Sequence, residues 1–91
     1  MELEQLRIFA AVAKYKSFSE AARRLYISHS TTSRAVAALE RELGLSLLSR
    51  DNHVVGLSRA GEVLLEETER LRNMEQTAIA RVRAAEKETQ A

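Results

Sequence analysis

The sequence contains no cysteine, no proline and no tryptophan, and only three glycines. Without cysteine there are no disulfides and no thiolate metal sites. Without proline the chain suits a mostly helical fold with few irregular loops. It has no apolar run near the length a bilayer crossing needs, and Met1-Glu2-Leu3-Glu4-Gln5 does not read as a signal peptide. A cytoplasmic protein with no membrane partner is therefore expected. Catalytic signals are also missing. The two histidines stand far apart, neither has a carboxylate pair beside it, and there is no glycine-rich phosphate loop. The expectation is no enzyme, no cofactor and no metal.

The chain has 91 residues, enough for one domain and little more. Its net charge of +1 is small, but the charge is unevenly spread. Residues 1–59 hold nine Lys/Arg against six Asp/Glu, whereas residues 60–91 hold five bases against seven acids. The basic part supports a nucleic-acid partner without establishing one.

The segment from Ser17 to Glu40 organises the rest. It reads as two helices joined by a tight turn. Ser17 or Ser19 can cap the first, and Ser17 with Glu20 has capping-box spacing. Ala21, Ala22 and Leu25 give that helix its apolar side, and Tyr26-Ile27 breaks the pattern. Ser28 caps the second helix, where Thr32, Val36, Leu39 and Leu43 share one face and Ser30, Arg34, Ala37 and Arg41 the other. Two short helices, a tight turn and small polar groups with an Arg near the second N-terminus form the pattern of a DNA-reading helix-turn-helix.

Residues 2 to about 15 predict a preceding helix, with Leu6, Phe9, Ala10 and Ala13 at helical spacing and Leu3 and Val12 widening the stripe. Phe9, Phe18, Leu25, Val36 and Leu39 are the expected core. Gly44 is placed to close the third helix. Leu45–Leu48 and Val54–Leu57 are short apolar runs around the polar, turn-prone Ser49-Arg50-Asp51-Asn52-His53, which predicts a small β-hairpin wing. Ser58 can cap a last helix of close to 30 residues, long for a globular helix. Leu64, Leu71, Ala78 and Ala85 recur every seven residues in it, flanked by Val63, Met74, Ile79 and Val82, although Arg81 interrupts the seam. So small a core cannot cover this stripe, so the helix is expected to pair with its copy in a homodimer through Leu64, Leu71, Met74, Ala78 and Val82. The expected divisions are 1–58, 59–88 and a disordered tail 89–91.

Leu6-Arg7-Ile8-Phe9, Ser17 through Ala22, Leu25, Ser33-Arg34, Leu39-Glu40, Glu42-Leu43-Gly44, Leu47-Leu48, Arg50, Leu57-Ser58 and Ala60-Gly61 stand in an order and spacing that resemble the LysR-type transcriptional regulators. The likeness covers about residues 1–65 closely. It implies a mainly α fold, a winged helix-turn-helix of three helices plus a hairpin, followed by a long linker helix that dimerises. It implies double-stranded DNA as partner and a bacterial, nucleoid-associated location. A complete member is about three times this length, with an effector domain after the linker helix, and a homotetramer is expected only there. The family's reading helix usually begins Gln-Pro, where this chain has His29-Ser30. The wing often has a basic residue at the place of His53, and Phe often stands at the place of Leu48.

Arg34 can reach a base edge in the major groove, most simply guanine O6/N7. Ser30 and Ser33 can bond phosphate or base, with Thr31 beside them. His29 lies in the first turn, where free N–H groups favour a phosphate. Ser17 and Ser19 are caps that can also face phosphate. Arg50 and His53 fall at the wing, placed for the backbone or minor groove. Arg23 and Arg24 lie on the helix that crosses the backbone in this geometry. The competing class is a winged-helix protein–protein module, which should carry apolar anchors at Ser30, Ser33 and Arg34 instead.

Overall fold

The structure is a computed structural model that describes residues 1–51 and 54–90. Four helices and one hairpin follow in the order α1 (Leu3–Tyr15), α2 (Phe18–Leu25), α3 (His29–Leu43), β1 (Leu48–Asp51), β2 (Val54–Leu57) and α4 (Arg59–Gln90). The architecture is the expected winged helix-turn-helix with a long terminal helix.

Local chemistry sets each helix end. The Gln5 side chain reaches back to accept the Glu2 N–H at 3.1 Å. Ser17 Oγ accepts from Glu20 N at 3.0 Å and starts α2. Ser28 Oγ accepts from Thr31 N at 3.0 Å and starts α3. Ser58 Oγ accepts from Gly61 N at 3.0 Å and starts α4. Each serine satisfies one of the N–H groups a helix start leaves unpaired. At the other ends Lys16, Tyr26 and Gly44 take left-handed φ values of 53°, 58° and 69°. Only Gly44 does so without steric cost, and for the two bulkier residues the conformation costs about 1–2 kcal/mol each.

α1 runs through the middle of the core and packs against α2, α3, α4 and β2. It is therefore buried on more sides than one stripe. Phe9 and Val12 are fully enclosed, and Ile8 and Ala11, outside the expected stripe, are buried as well. Leu3, expected on that stripe, is exposed. Val36 and Leu39 of α3 complete the centre, with Phe18 and Leu25 of α2 half-buried at its edge. Leu43 was expected on the buried face of α3 but is exposed, and Leu47 is buried in the same core cluster.

The hairpin is antiparallel, with Leu48 opposite Leu57 and Asp51 opposite Val54. The first strand thus begins three residues later than the Leu45–Leu48 run predicted, and takes in polar residues assigned to the turn. The reason is Glu40. Its Oε2 accepts from Leu47 N at 2.8 Å and from Leu48 N at 3.4 Å, and its backbone carbonyl accepts from Gly44 N and Leu45 N. These bonds hold residues 44–47 as a connector against the end of α3, so pairing starts only at Leu48.

α4 begins on the same connector. Ser58 N donates to Leu47 O at 3.0 Å, and Ser58 Oγ donates to Ser46 O at 2.7 Å. Gly61 lies directly over Leu47, and a Cβ added there would stand 2.0 Å from Leu47 O. Leu64 and Leu65 pack on the core, and Thr68 is the last buried residue of α4, its Oγ1 without a hydrogen-bond partner among the described residues. From residue 69 to 89 every residue is exposed. The helix is 32 residues long, about 48 Å at 1.5 Å per residue. Thr89 and Gln90, expected in a disordered tail, belong to it, and Thr89 Oγ1 donates to Glu86 O at 2.8 Å. Ala91 lies outside the described residues.

Two substitutions probe this packing. Phe9→Ala should lower stability by about 3–5 kcal/mol in denaturant unfolding, as expected for a fully enclosed ring. Gly61→Ala should cost about 3 kcal/mol or more, because backbone rather than a flexible side chain blocks the new methyl. A loss no larger than that of an exposed-site variant in either case would mean that the joint or the α1 face is wrongly placed.

Candidate nucleic-acid interface

The second helix of the motif divides cleanly by face. Thr32, Ala35, Val36 and Leu39 are buried, and His29, Ser30, Arg34, Ala37 and Arg41 are exposed. Burying the first set forces the second outward. From Ser28 through Leu39 there is no acidic residue. The outer face therefore presents hydroxyls, an imidazole and guanidinium groups, with the methyl of Ala37 among them.

Around the N-terminus of α3 these groups are ordered by one another. Ser28 Oγ donates to Thr31 Oγ1 at 2.8 Å and lies 3.2 Å from Ser30 Oγ. The Arg34 guanidinium reaches Thr31 Oγ1 at 3.5 Å. Ser33 Oγ lies 3.5 Å from His29 Nδ1, and the His29 ring stands 6.1 Å from that of Phe18, tilted by 42°. Thr31 and Ser33 are half-buried. Thr31 is spent on these local bonds and supports Arg34 more than it faces outward. Thr32 Oγ1 donates to Ser28 O at 3.0 Å inside the core.

The other expected site residues are more scattered. Ser17 is half-buried and its hydroxyl is occupied as a cap. Ser19, two residues on, is exposed. Arg50 occupies β1 opposite Val55, and its side chain is outside what is described. His53 also lies outside the described residues. Arg34 and Arg41 border a shallow groove shared with Glu2, Glu4 and Gln5 at the start of α1. One of the two acids there is engaged: Glu4 Oε1 accepts from the Arg7 guanidinium at 2.8 Å, which holds the Glu4 carboxyl below its usual range.

On α2 one carboxylate is shared by two guanidinium groups. Glu20 bonds both Arg23 and Arg24, the latter at 2.9 Å. The Arg24 hydrogen bond, and then that of Arg23, hold the Glu20 carboxyl below its ordinary value, and Glu20 in turn raises Arg24. Arg24 also lies 5.2 Å over the Tyr15 ring. Composition could not show this pairing, which leaves Arg23 and Arg24 less available for phosphate. Tyr26 was read only as a break in pattern. It is 95% exposed, the most exposed large hydrophobic residue among those described, because its left-handed corner turns it off the helix pair.

The expected dimer residues also separate. Leu64 is used by the protein's own core. Leu71, Met74 and Val82 are exposed on the free part of α4, as is Ala78.

Comparison with known proteins accords with this geometry. Residues 3–62 match the family described as bacterial regulatory helix-turn-helix protein, lysR family. The chain belongs to the LysR family. The regulator ClcR of Pseudomonas putida is 42% identical over 85 residues, covering 93% of this chain and 29% of its own length. A probable RuBisCO transcriptional regulator of Trieres chinensis is 45% identical over 69 residues, covering 76% of this chain and 22% of its own length. The chain thus spans under a third of these LysR relatives. Among solved structures it is similar to the CbnR DBD–DNA complex, with TM-score 0.88, 38% identity and coverage of 93% of this chain and 98% of that one. It is also similar to the BenM DBD with benA site 1 DNA, with TM-score 0.89, 32% identity and coverage of 93% and 99%. Among the described residues no helix is long and apolar enough to cross a membrane, and no three His, Asp or Glu gather to hold a metal.

Because the Glu20 carboxyl is lowered in the folded state, its stabilising effect is present above the ordinary carboxylate range and is lost as pH falls through the lowered value. Glu20→Gln should therefore lower the melting temperature slightly at pH 7, and the gap from wild type should close as pH falls from about 5 toward 3. A gap independent of pH would remove the ion pairs as its cause.

Proposed function

We propose that this chain is the DNA-reading and pairing part of a LysR-type transcriptional regulator. It binds an imperfect inverted repeat as a homodimer. Helix α3, from about 28 to 43, enters the major groove, and the wing at 49–56 follows the backbone or minor groove. The observation that carries this reading is the outward face of α3. It is donor-rich and free of acid between Ser28 and Leu39, and its opposite side is fixed in the core. That CbnR and BenM DNA-binding domains of the same fold are solved with DNA supports it.

Arg34 is assigned to a base edge, with His29, Ser30 and Ser33 beside it. Ser17, Ser19, Thr31, Arg50 and His53 are assigned to phosphate contact or to positioning. Pairing uses the part of α4 beyond Thr68, where Leu71, Met74, Ala78 and Val82 form a stripe about 16 Å long that the chain itself leaves uncovered. A dimer of this kind presents its two α3 helices to major grooves about 34 Å apart. The role is binding, not catalysis, and its place is the cytoplasm, on the nucleoid. A protein–protein module is disfavoured because the α3 face offers no large apolar anchor.

Arg34→Ala should cost about 1–3 kcal/mol per half-site on specific DNA and relax the preference at one position of each half. Equal losses on specific and random duplex in a salt titration would reduce Arg34 to a phosphate contact. Leu71→Glu should yield monomers in sedimentation and weaken specific binding sharply, since the half-sites are no longer linked. A wild-type chain that stays monomeric at high micromolar concentration would refute the pairing role of α4.

A further inference from the structure

His29 is exposed, yet its ring is not free. Phe18 of α2, itself packed on the core, stands against it at 6.1 Å. Ser33, one turn along α3, lies 3.5 Å from Nδ1. With one ring nitrogen turned back onto the helix, the other, Nε2, faces away from it.

The surroundings decide which nitrogen carries the proton. The first turn of a helix presents unpaired N–H groups and the positive end of its dipole. A lone pair is favoured there and an N–H disfavoured. Nδ1 is thus the acceptor, the Ser33 hydroxyl is its donor, and the proton of the neutral ring is on Nε2. Protonation of Nδ1 leaves Nε2–H in place. In both states the ring offers outward one donor and no acceptor.

A lone donor with no acceptor beside it matches guanine best among the bases in the major groove. Guanine presents two adjacent acceptors, N7 and O6. Adenine places a donor amino group beside N7, cytosine presents a donor, and thymine pairs its acceptor with a methyl group. Glutamine, by contrast, carries both a donor and an acceptor and matches adenine N6/N7. We infer that His29 fixes one base position in each half-site as guanine, through a hydrogen bond from Nε2 to the O6/N7 edge. This rests on the DNA-reading role proposed above and adds the chemistry of one base pair to it.

Selection of duplexes from a random pool with the wild-type chain, His29→Gln and His29→Ala tests the inference. The wild type should enrich guanine at one position per half-site. His29→Gln should convert that position to adenine, a change of roughly tenfold or more in relative preference, and leave the other positions as they were. His29→Ala should lose preference there alone. The unchanged positions report that each variant folds and docks normally. Identical preferences for wild type and His29→Gln would overturn the inference, as would any base other than guanine favoured at that position by the wild type. A wild type that enriches no site at all would overturn the DNA-reading role itself.

Discussion

One carboxylate and one glycine hold the parts of this molecule together. Glu40, near the end of α3, accepts the Leu47 and Leu48 N–H groups and so fixes the connector to the wing. Leu47 sends its side chain into the core and its carbonyl to Ser58 N, and Gly61 lies against that same carbonyl. Helix α3, the hairpin and α4 therefore meet at one residue. A buried amide held by a charged acceptor is a strong contact, and leaving it unmade is costly. In the proposed dimer, the orientation of α4 would pass to α3 through these bonds.

The rest of the structure distributes its polar groups around that joint. Serine hydroxyls start three of the four helices. On α2 Arg23 and Arg24 both pair with Glu20, and on α1 Arg7 is neutralised by Glu4. On α3 the stretch from Ser28 to Leu39 carries donors with no acid among them. This answers how a chain with a net charge of +1 can offer a surface suited to DNA. What matters is which charges remain unpaired on one face. Of the apolar groups the core leaves exposed, Leu71, Met74, Ile79 and Val82 lie on α4 beyond Thr68.

Much of this was legible in the sequence because it is local. The Ser17, Ser28 and Ser58 caps, the Gly44 stop and the two faces of α3 each depend on residues within a turn or two. What was not legible depends on distant partners. Ile8 and Ala11 are buried because α1 is surrounded, which a single stripe does not reveal. The late start of β1 follows from Glu40 bonds that span seven and eight residues. The heptad line suggested that Leu64 belongs to the dimer seam, but the hydrophobic core claims it first. Gly61 formed part of the family likeness, yet its physical role, close approach to Leu47 O, exists only in three dimensions. Of the candidate site, the α3 residues come together as read, Ser17 and Thr31 are engaged in local bonds, and the wing residues Arg50 and His53 keep the standing of proposals.

The rigidity of the joint is the central claim, and native-state hydrogen exchange at the Leu47, Leu48 and Ser58 amides measures it directly. If Glu40 and Gly61 lock the three parts together, these amides should exchange only through global unfolding, with the same opening free energy as those of Val36 and Leu39 in α3. Exchange of the Leu47 and Leu48 amides orders of magnitude faster, while the α3 core stays protected, would show that the joint opens independently and contradict the account.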